Sequence, residues 1–177
     1  VGGKTGINLP GGKNLVGAFH QPSLVLSDVG VLATLDDRQF ATGMAEVVKH
    51  AIIRDPGLFQ RLEAQSAAFA SRDVVLMEEA VARNCRIKAD VVTADEREAG
   101  LRAILNYGHT VGHAIESVAS YGRYTHGEAV ALGMNAEADI ARRRGLIDED
   151  APAPPAALPD ALGSPPSLRD PPPVGPA

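Results

Sequence analysis

Leu101-Arg102-Ala103-Ile104-Leu105-Asn106-Tyr107-Gly108-His109-Thr110-Val111-Gly112-His113-Ala114-Ile115-Glu116-Ser117-Val118 reads as the body of one helix, from about Gly100 to Ser120. At roughly 100° of rotation per residue, such a helix sets Arg102, Asn106, His109, His113 and Glu116 within about 80° of one another. Leu101, Ile104, Leu105, Val111, Ile115 and Val118 fall largely on other sides. A solvated face usually repeats Lys and Glu at i, i+4 spacing. This stripe mixes four polar residue types and reads instead as one wall of a polar site.

The helical texture continues on both sides of that stretch. Downstream, Thr125-x-x-Glu128 is a capping box, and the helix it opens ends in Arg142-Arg143-Arg144-Gly145, with cations in the last turn and glycine after it. Upstream, Asp36 or Asp37 caps a helix through about Ile53, and Asp55-Pro56 supplies a second cap with proline at the first helical position. A third helix runs from about Arg72 or Asp73 to Thr93 and carries Val74, Val75, Met77, Val81, Cys85 and Ile87. Before Leu35 the glycine pairs, Pro10, Pro22 and the run Leu24-Val25-Leu26 read as loop, strand, loop. The fold class is therefore mainly α. Residues 151–177 hold ten of the thirteen prolines and only Asp160, Arg169 and Asp170 as charges, the composition of a disordered or polyproline-like tail.

Composition excludes several functions. A net charge of −5 and a pI near 5.5 lack the basic excess expected of a nucleic-acid or anionic-membrane binder. No apolar run approaches the length of a membrane span and no signal peptide is readable, so a cytoplasmic setting is the expectation. The first residue is Val1 rather than Met, as expected of a piece of a longer protein. A single cysteine, Cys85, supports neither an internal disulfide nor a thiolate cage, so a metal would rest on histidine and carboxylate.

Candidate ligands follow from that restriction. His126 starts the helix after the polar stripe, and His109 with His126 can share an ion if the two helices pack antiparallel; His109 and His113, one turn apart, can equally do so. Glu46, in Gly43-Met44-Ala45-Glu46-Val47-Val48-Lys49-His50, is the best carboxylate, because an uncompensated charge in an apolar helical segment is costly. Two histidines and a glutamate suit zinc and leave a position open for substrate or water. His109-x-x-x-His113 lacks the glutamate that marks the metalloprotease helix. Lys4, Lys13, Lys49 and Lys88 form a second group; the glycines beside Lys4 and Lys13 permit close approach to an anion, and Gly2-Gly3-Lys4-Thr5 is similar to the end of a P-loop.

Taken together, these motifs resemble the 3-dehydroquinate synthase family. The resemblance rests on Val1-Gly2-Gly3-Lys4-Thr5-Gly6-Ile7-Asn8, Gly12-Lys13-Asn14-Leu15-Val16-Gly17-Ala18-Phe19-His20-Gln21-Pro22, Gly43 to Lys49, Lys88-Ala89-Asp90-Val91-Val92 and Asp95-Glu96-Arg97-Glu98. Leu101-Arg102, Asn106 to Glu116 and His126-Gly127-Glu128-Ala129-Val130 complete the series, which spans residues 1 to about 147.

The resemblance implies an NAD- and zinc- (or cobalt-) dependent phosphate lyase that cyclises 3-deoxy-D-arabino-heptulosonate 7-phosphate to 3-dehydroquinate in the shikimate pathway. It implies metal ligands at Glu46, His109 and His126, with His113 as a substrate-site residue, and substrate contacts at Lys4, Asn14, Lys49, Lys88, Arg102 and Asn106. Lys4, Lys13, Val31, Leu32, Ala33 and Thr34 fall where the family lines its cofactor site. The implied fold is the multi-helix C-terminal domain, residues 36–150, preceded by a β/loop remnant of an α/β nucleotide-binding domain over residues 1–35 and followed by the tail, residues 151–177. Partners are a phosphorylated keto-sugar acid and, by family habit, a second copy of the chain; no nucleic acid or membrane is expected. Ala99 stands where the family usually has glycine, and the proline-rich end replaces further family helices. The alternatives are another sugar phosphate cyclase, a metal-dependent alcohol dehydrogenase of the same fold, or a non-catalytic module.

Overall fold

The computed structural model describes residues 2–119 and 123–148; the proline-rich segment 151–177 lies outside the described residues. It begins with an antiparallel hairpin, β1 (Lys4–Leu9) and β2 (Gly12–Phe19), in which Lys4 pairs with Phe19 and Ile7 with Val16. The strand expected at Leu24–Leu26 does not form: Leu24 and Leu26 are 82% and 89% exposed. An extended segment becomes a strand only where a neighbour takes its backbone hydrogen bonds, and β1 and β2 take each other's. Lys4 enters a strand rather than a helix, so Gly2–Thr5 lacks the loop-to-helix context of a P-loop.

A short 3-10 turn (Val29–Thr34) leads into the helices: α1 (Asp37–Arg54), α2 (Pro56–Ala64), α3 (Ser66–Ala70), α4 (Val74–Ala94), α5 (His109–Val118) and α6 (His126–Arg143). Their starts are written locally. Asp36, Asp55 and Asp73 each accept a hydrogen bond from the backbone N–H three residues on, at Gln39, Leu58 and Leu76. Thr125 and Glu128 close the capping box on α6. On α1, Phe40, Met44, Val48 and Ala51 recur at helical spacing and bury one face against Leu58 and Leu62 of α2, Met77 and Ala80 of α4, and Val130 and Met134 of α6.

The stretch from Gly100 to Ser120 is not one helix. A 3-10 turn covers Leu101–Asn106, the chain then extends at Tyr107, and Gly108 adopts the left-handed conformation (φ 78°) before α5 starts at His109. A left-handed turn here suits glycine, and a side chain at this position would also meet Met134 and the Val130 carbonyl. Tyr107 anchors the break by donating its hydroxyl to the Met134 carbonyl at 3.0 Å. Among the described residues, no helix is long and apolar enough to cross a membrane.

Candidate metal centre and anion cleft

Because α1 turns Ala45 and Val48 into the core, Glu46 projects from its other side, toward the first residues of α5 and α6. Those first residues are His109 and His126. Glu46 Oε1 stands 3.6 Å from His109 Nε2 and 3.8 Å from His126 Nε2, and the two rings lie 5.0 Å apart between centroids. Ligand atoms around a tetrahedral ion with bonds of about 2.0–2.1 Å stand roughly 3.4 Å from one another. The carboxylate oxygen thus stands from each ring nitrogen at close to the spacing an ion imposes, and the three residues each offer a ligand atom within 4.8 Å of the others.

Further features fit a cation here. Glu46 Oε1 is buried and has no hydrogen-bond partner, whereas Oε2 accepts from Lys49 Nζ at 2.6 Å. A buried carboxylate oxygen without a donor is costly unless something positive faces it. Each imidazole is also aimed through its other nitrogen: His109 Nδ1 meets the Tyr107 carbonyl at 3.2 Å, and His126 Nδ1 meets Glu116 Oε2 at 3.4 Å. Such partners fix the tautomer and leave Nε2 to coordinate. Burial, with the nearby Lys49 charge, pushes His109 below the ordinary histidine value, which favours the neutral form a metal needs.

Glu46 is set the same way. Burial alone would raise its carboxyl, but the Lys49 charge and hydrogen bond, with His109 and His50, outweigh it and hold the group below the usual carboxylate value. For Lys49, 3% exposed, burial wins over the attraction of Glu46 and lowers the amine. His113 lies beside the trio, its ring 5.5 Å from His109 and 5.9 Å from His126. Together with Glu116 and His126 it makes a second group of possible ligands, but in that group the His126–Glu116 contact is already satisfied as a hydrogen bond.

A cleft of about 260 Å³ opens beside Glu46, His109 and His126, lined also by Lys4, Lys49, His50, Lys88, Glu98, Arg102 and Asn106. It gathers cations from the hairpin, α1, α4 and the 3-10 turn. Arg102 departs from the expected helical stripe: it is 4% exposed, and its guanidinium donates to the Glu96 carbonyl at 2.9 Å and the Gly2 carbonyl at 3.1 Å. It therefore ties the N-terminal segment to the loop after α4. That loop is closed by Asp95, whose carboxylate accepts from the backbone N–H of Ala99, Gly100 and Arg102. Glu98, at φ 62°, reaches back to pair with Lys4.

Val31, Leu32, Ala33 and Thr34 are not brought to this cleft. They form the 3-10 turn, with Leu32 packed on the core. The side chains of Lys13 and Asn14 lie outside the described residues; their backbone runs in β2. A larger groove of about 670 Å³, between Gln21–Val25 and α4, is lined by none of the expected site residues. Residue-by-residue reading assigned no role to Glu98 or His50. His50 hydrogen-bonds Asn84 on α4 at 2.6 Å, a contact across 34 positions that no local pattern signals. Arg38 carries no local signal of a role either: its Nε and Nη2 donate to the two oxygens of Glu128, 90 positions away, at 2.8 and 2.7 Å, bracing the turn that presents His126.

Comparisons with known proteins agree with this architecture. Residues 43–171 match the family model described as 3-dehydroquinate synthase C-terminal, and residues 1–42 the one described as 3-dehydroquinate synthase N-terminal. A 3-dehydroquinate synthase of Symbiobacterium thermophilum is 56% identical over 84% of this chain and 41% of its own length. One of Halorhodospira halophila is 53% identical over 93% of this chain and 47% of its own. The chain thus spans less than half the length of these curated relatives. Among solved structures, a 2-epi-5-epi-valiolone synthase from Streptomyces hygroscopicus with NAD+ and Zn2+ bound superimposes with a TM-score of 0.81 at 30% identity, over 96% of this chain and 47% of that one. A 2-deoxy-scyllo-inosose synthase complexed with carbaglucose-6-phosphate, NAD+ and Co2+ does so at 0.68 and 33% identity, over 89% of this chain and 43% of that one.

Proposed function

We propose, from the premise that this chain belongs to the 3-dehydroquinate synthase family, that it supplies the metal and most of the substrate-binding side chains of a 3-dehydroquinate synthase. In this reading residues 36–150 form the metal- and substrate-binding domain, and residues 1–35 complete the neighbouring nucleotide-binding domain. The reaction is the cyclisation of 3-deoxy-D-arabino-heptulosonate 7-phosphate with loss of phosphate. The observation that carries it is the buried, unpartnered Glu46 Oε1 facing the Nε2 atoms of His109 and His126. Identities of 53–56% to named synthases, against 30–33% to the other cyclases, favour this substrate over theirs.

When bound at Glu46, His109 and His126, zinc or cobalt supplies polarisation of a substrate hydroxyl, and NAD supplies reversible hydride acceptance. The chain's own residues do the rest. Lys4, Lys49, Lys88 and Asn106 line the cleft and hold the carboxylate and phosphate of the substrate in one pose; a substrate contact at Asn14 follows from the family resemblance alone. Arg102 adds its charge at the cleft wall while holding Gly2, and with it the Lys4 segment, in place. His113, exposed beside the trio, is placed to hold or move a proton at the substrate. With the nucleotide-binding domain present, Lys4, Lys13 and Val31–Thr34 would line the NAD site, as the family resemblance implies.

Metal content tests the centre. The purified chain is expected to retain about one zinc or cobalt per molecule, and Glu46→Ala and His109→Ala to retain none; equal content in all three refutes the site. Phosphate release tests the reaction, in a chimera carrying residues 1–148 behind the N-terminal half of the Halorhodospira halophila relative. The carboxylate-bearing heptulosonate phosphate is expected to react and a heptulose phosphate without the carboxylate to fail. The reverse preference would assign the chain to another cyclase.

A further inference from the structure

His126 has a carboxylate directly behind it, Glu116, whereas His109 has only a backbone carbonyl, that of Tyr107. The peptide unit to which that carbonyl belongs is itself held by a carboxylate. Its N–H, on Gly108, donates to Glu137 Oε2 at 2.8 Å, and the Val111 N–H donates to Glu137 Oε1 at 3.4 Å. We propose that Glu137, half-buried on α6, is a positioning residue for His109, acting through the Tyr107–Gly108 peptide.

The physical case has two parts. First, the start of α5 has no side-chain cap of its own, since its cap residue is Gly108, and a carboxylate there satisfies the free N–H groups and the positive end of the helix. His109 is the first residue of that turn, so fixing the turn fixes the ring. Second, the peptide is conjugated: an anion accepting from its N–H shifts electron density toward its carbonyl oxygen. That oxygen is the acceptor of His109 Nδ1–H, and a stronger acceptor there makes Nε2 a better donor toward a metal. A carboxylate thus stands behind both histidines, directly for His126 and one peptide removed for His109. The Tyr107 hydroxyl, pushed up to about 12 by burial and by the Glu137 charge, stays protonated and keeps the peptide in register through Met134.

The inference rests on His109 being a metal ligand, so its test separates the two ideas. The full chain is titrated with Co2+, following the visible absorption bands, at a temperature where far-ultraviolet circular dichroism matches between variants. Glu137→Leu, which removes the acceptor, is expected to weaken Co2+ binding roughly 10–100-fold and to alter the bands. Glu137→Gln, which keeps an acceptor oxygen but not the charge, is expected to weaken it about threefold. Should the leucine variant fail to fold, the glutamine variant alone decides. A glutamine variant at parent affinity, or a folded leucine variant with parent affinity and parent bands, overturns the proposal. If His109→Ala and Glu46→Ala abolish binding while both Glu137 variants behave as parent, only the role of Glu137 falls; if His109→Ala also binds as parent, the metal centre itself falls with it.

Discussion

A Cβ placed on Gly133 would stand 2.0 Å from the carbonyl oxygen of Gly108, so α5 and α6 touch backbone to backbone where the two histidine-bearing helices meet. No rotamer relieves such a contact, because a Cβ is fixed by its own backbone and the oxygen it meets belongs to the main chain. The distance between His109 and His126 is therefore set by the absence of a side chain at position 133.

Gly133→Ala is expected to push the helices apart and to cost about 3 kcal/mol or more, by urea unfolding, together with loss of metal binding. Gly43→Ala is the control: it lies in α1, three residues before Glu46, and its new Cβ meets nothing within 4 Å. That variant is expected to gain about 0.5–1 kcal/mol from helix propensity and to bind metal as the parent does. Equal effects from both alanines would remove the close contact as the cause.

Metal should stabilise the fold, since its proposed ligands come from three different helices and an ion would tie them together. At free Zn2+ of 100 times the dissociation constant the expected gain is about 2.7 kcal/mol. Differential scanning calorimetry should show the melting temperature rising with Zn2+ in the parent and flat in His126→Ala. A parallel rise in His126→Ala would mean that the ion binds elsewhere.

Arg102→Lys is expected to act first on structure. A lysine cannot reach the carbonyls of both Glu96 and Gly2, and a carbonyl left buried without a donor costs about 1–3 kcal/mol. Amide hydrogen exchange in the hairpin should quicken more than exchange in α1. Unchanged exchange, with weaker substrate binding in the chimera, would return Arg102 to a purely anion-holding role.

Asp55 links stability to pH. Hydrogen bonds from Arg83 hold its carboxyl below the ordinary value of 3.8, assisted by the Leu58 N–H. Because the folded group binds its proton less readily than the unfolded one, its contribution is complete above 3.8 and is lost as pH falls through the folded value. The Asp55 and Arg83 side chains are 20% and 28% exposed, so solvent weakens their attraction. Asp55→Asn is expected to flatten the acid limb of a stability-against-pH curve while leaving the neutral region lower by the lost ion pair. An acid limb identical to the parent's would assign that limb to other carboxylates.

Much of the helical framework was legible because its signals act over one turn. Asp36, Asp55, Asp73 and the Thr125–Glu128 pair each bond three residues along the chain, so residue type and spacing alone announce where α1, α2, α4 and α6 start. Glu46 was legible for a related reason: a carboxylate among apolar neighbours on a helix signals a charge that needs company. Treating residues 100–120 as one helix failed at Gly108, where the left-handed turn answers to Met134 and Val130, far along the chain.

The amino-acid order by itself determined where α1, α2, α4 and α6 begin and which donors exist for a divalent ion. Only the tertiary structure decided that Arg102 spends its guanidinium on Gly2 and that Glu137 caps α5. The reason is reach: caps are settled within a turn, whereas the Glu137–Gly108 and Arg102–Gly2 bonds join residues 29 and 100 positions apart, and such pairs exist only after the core has closed.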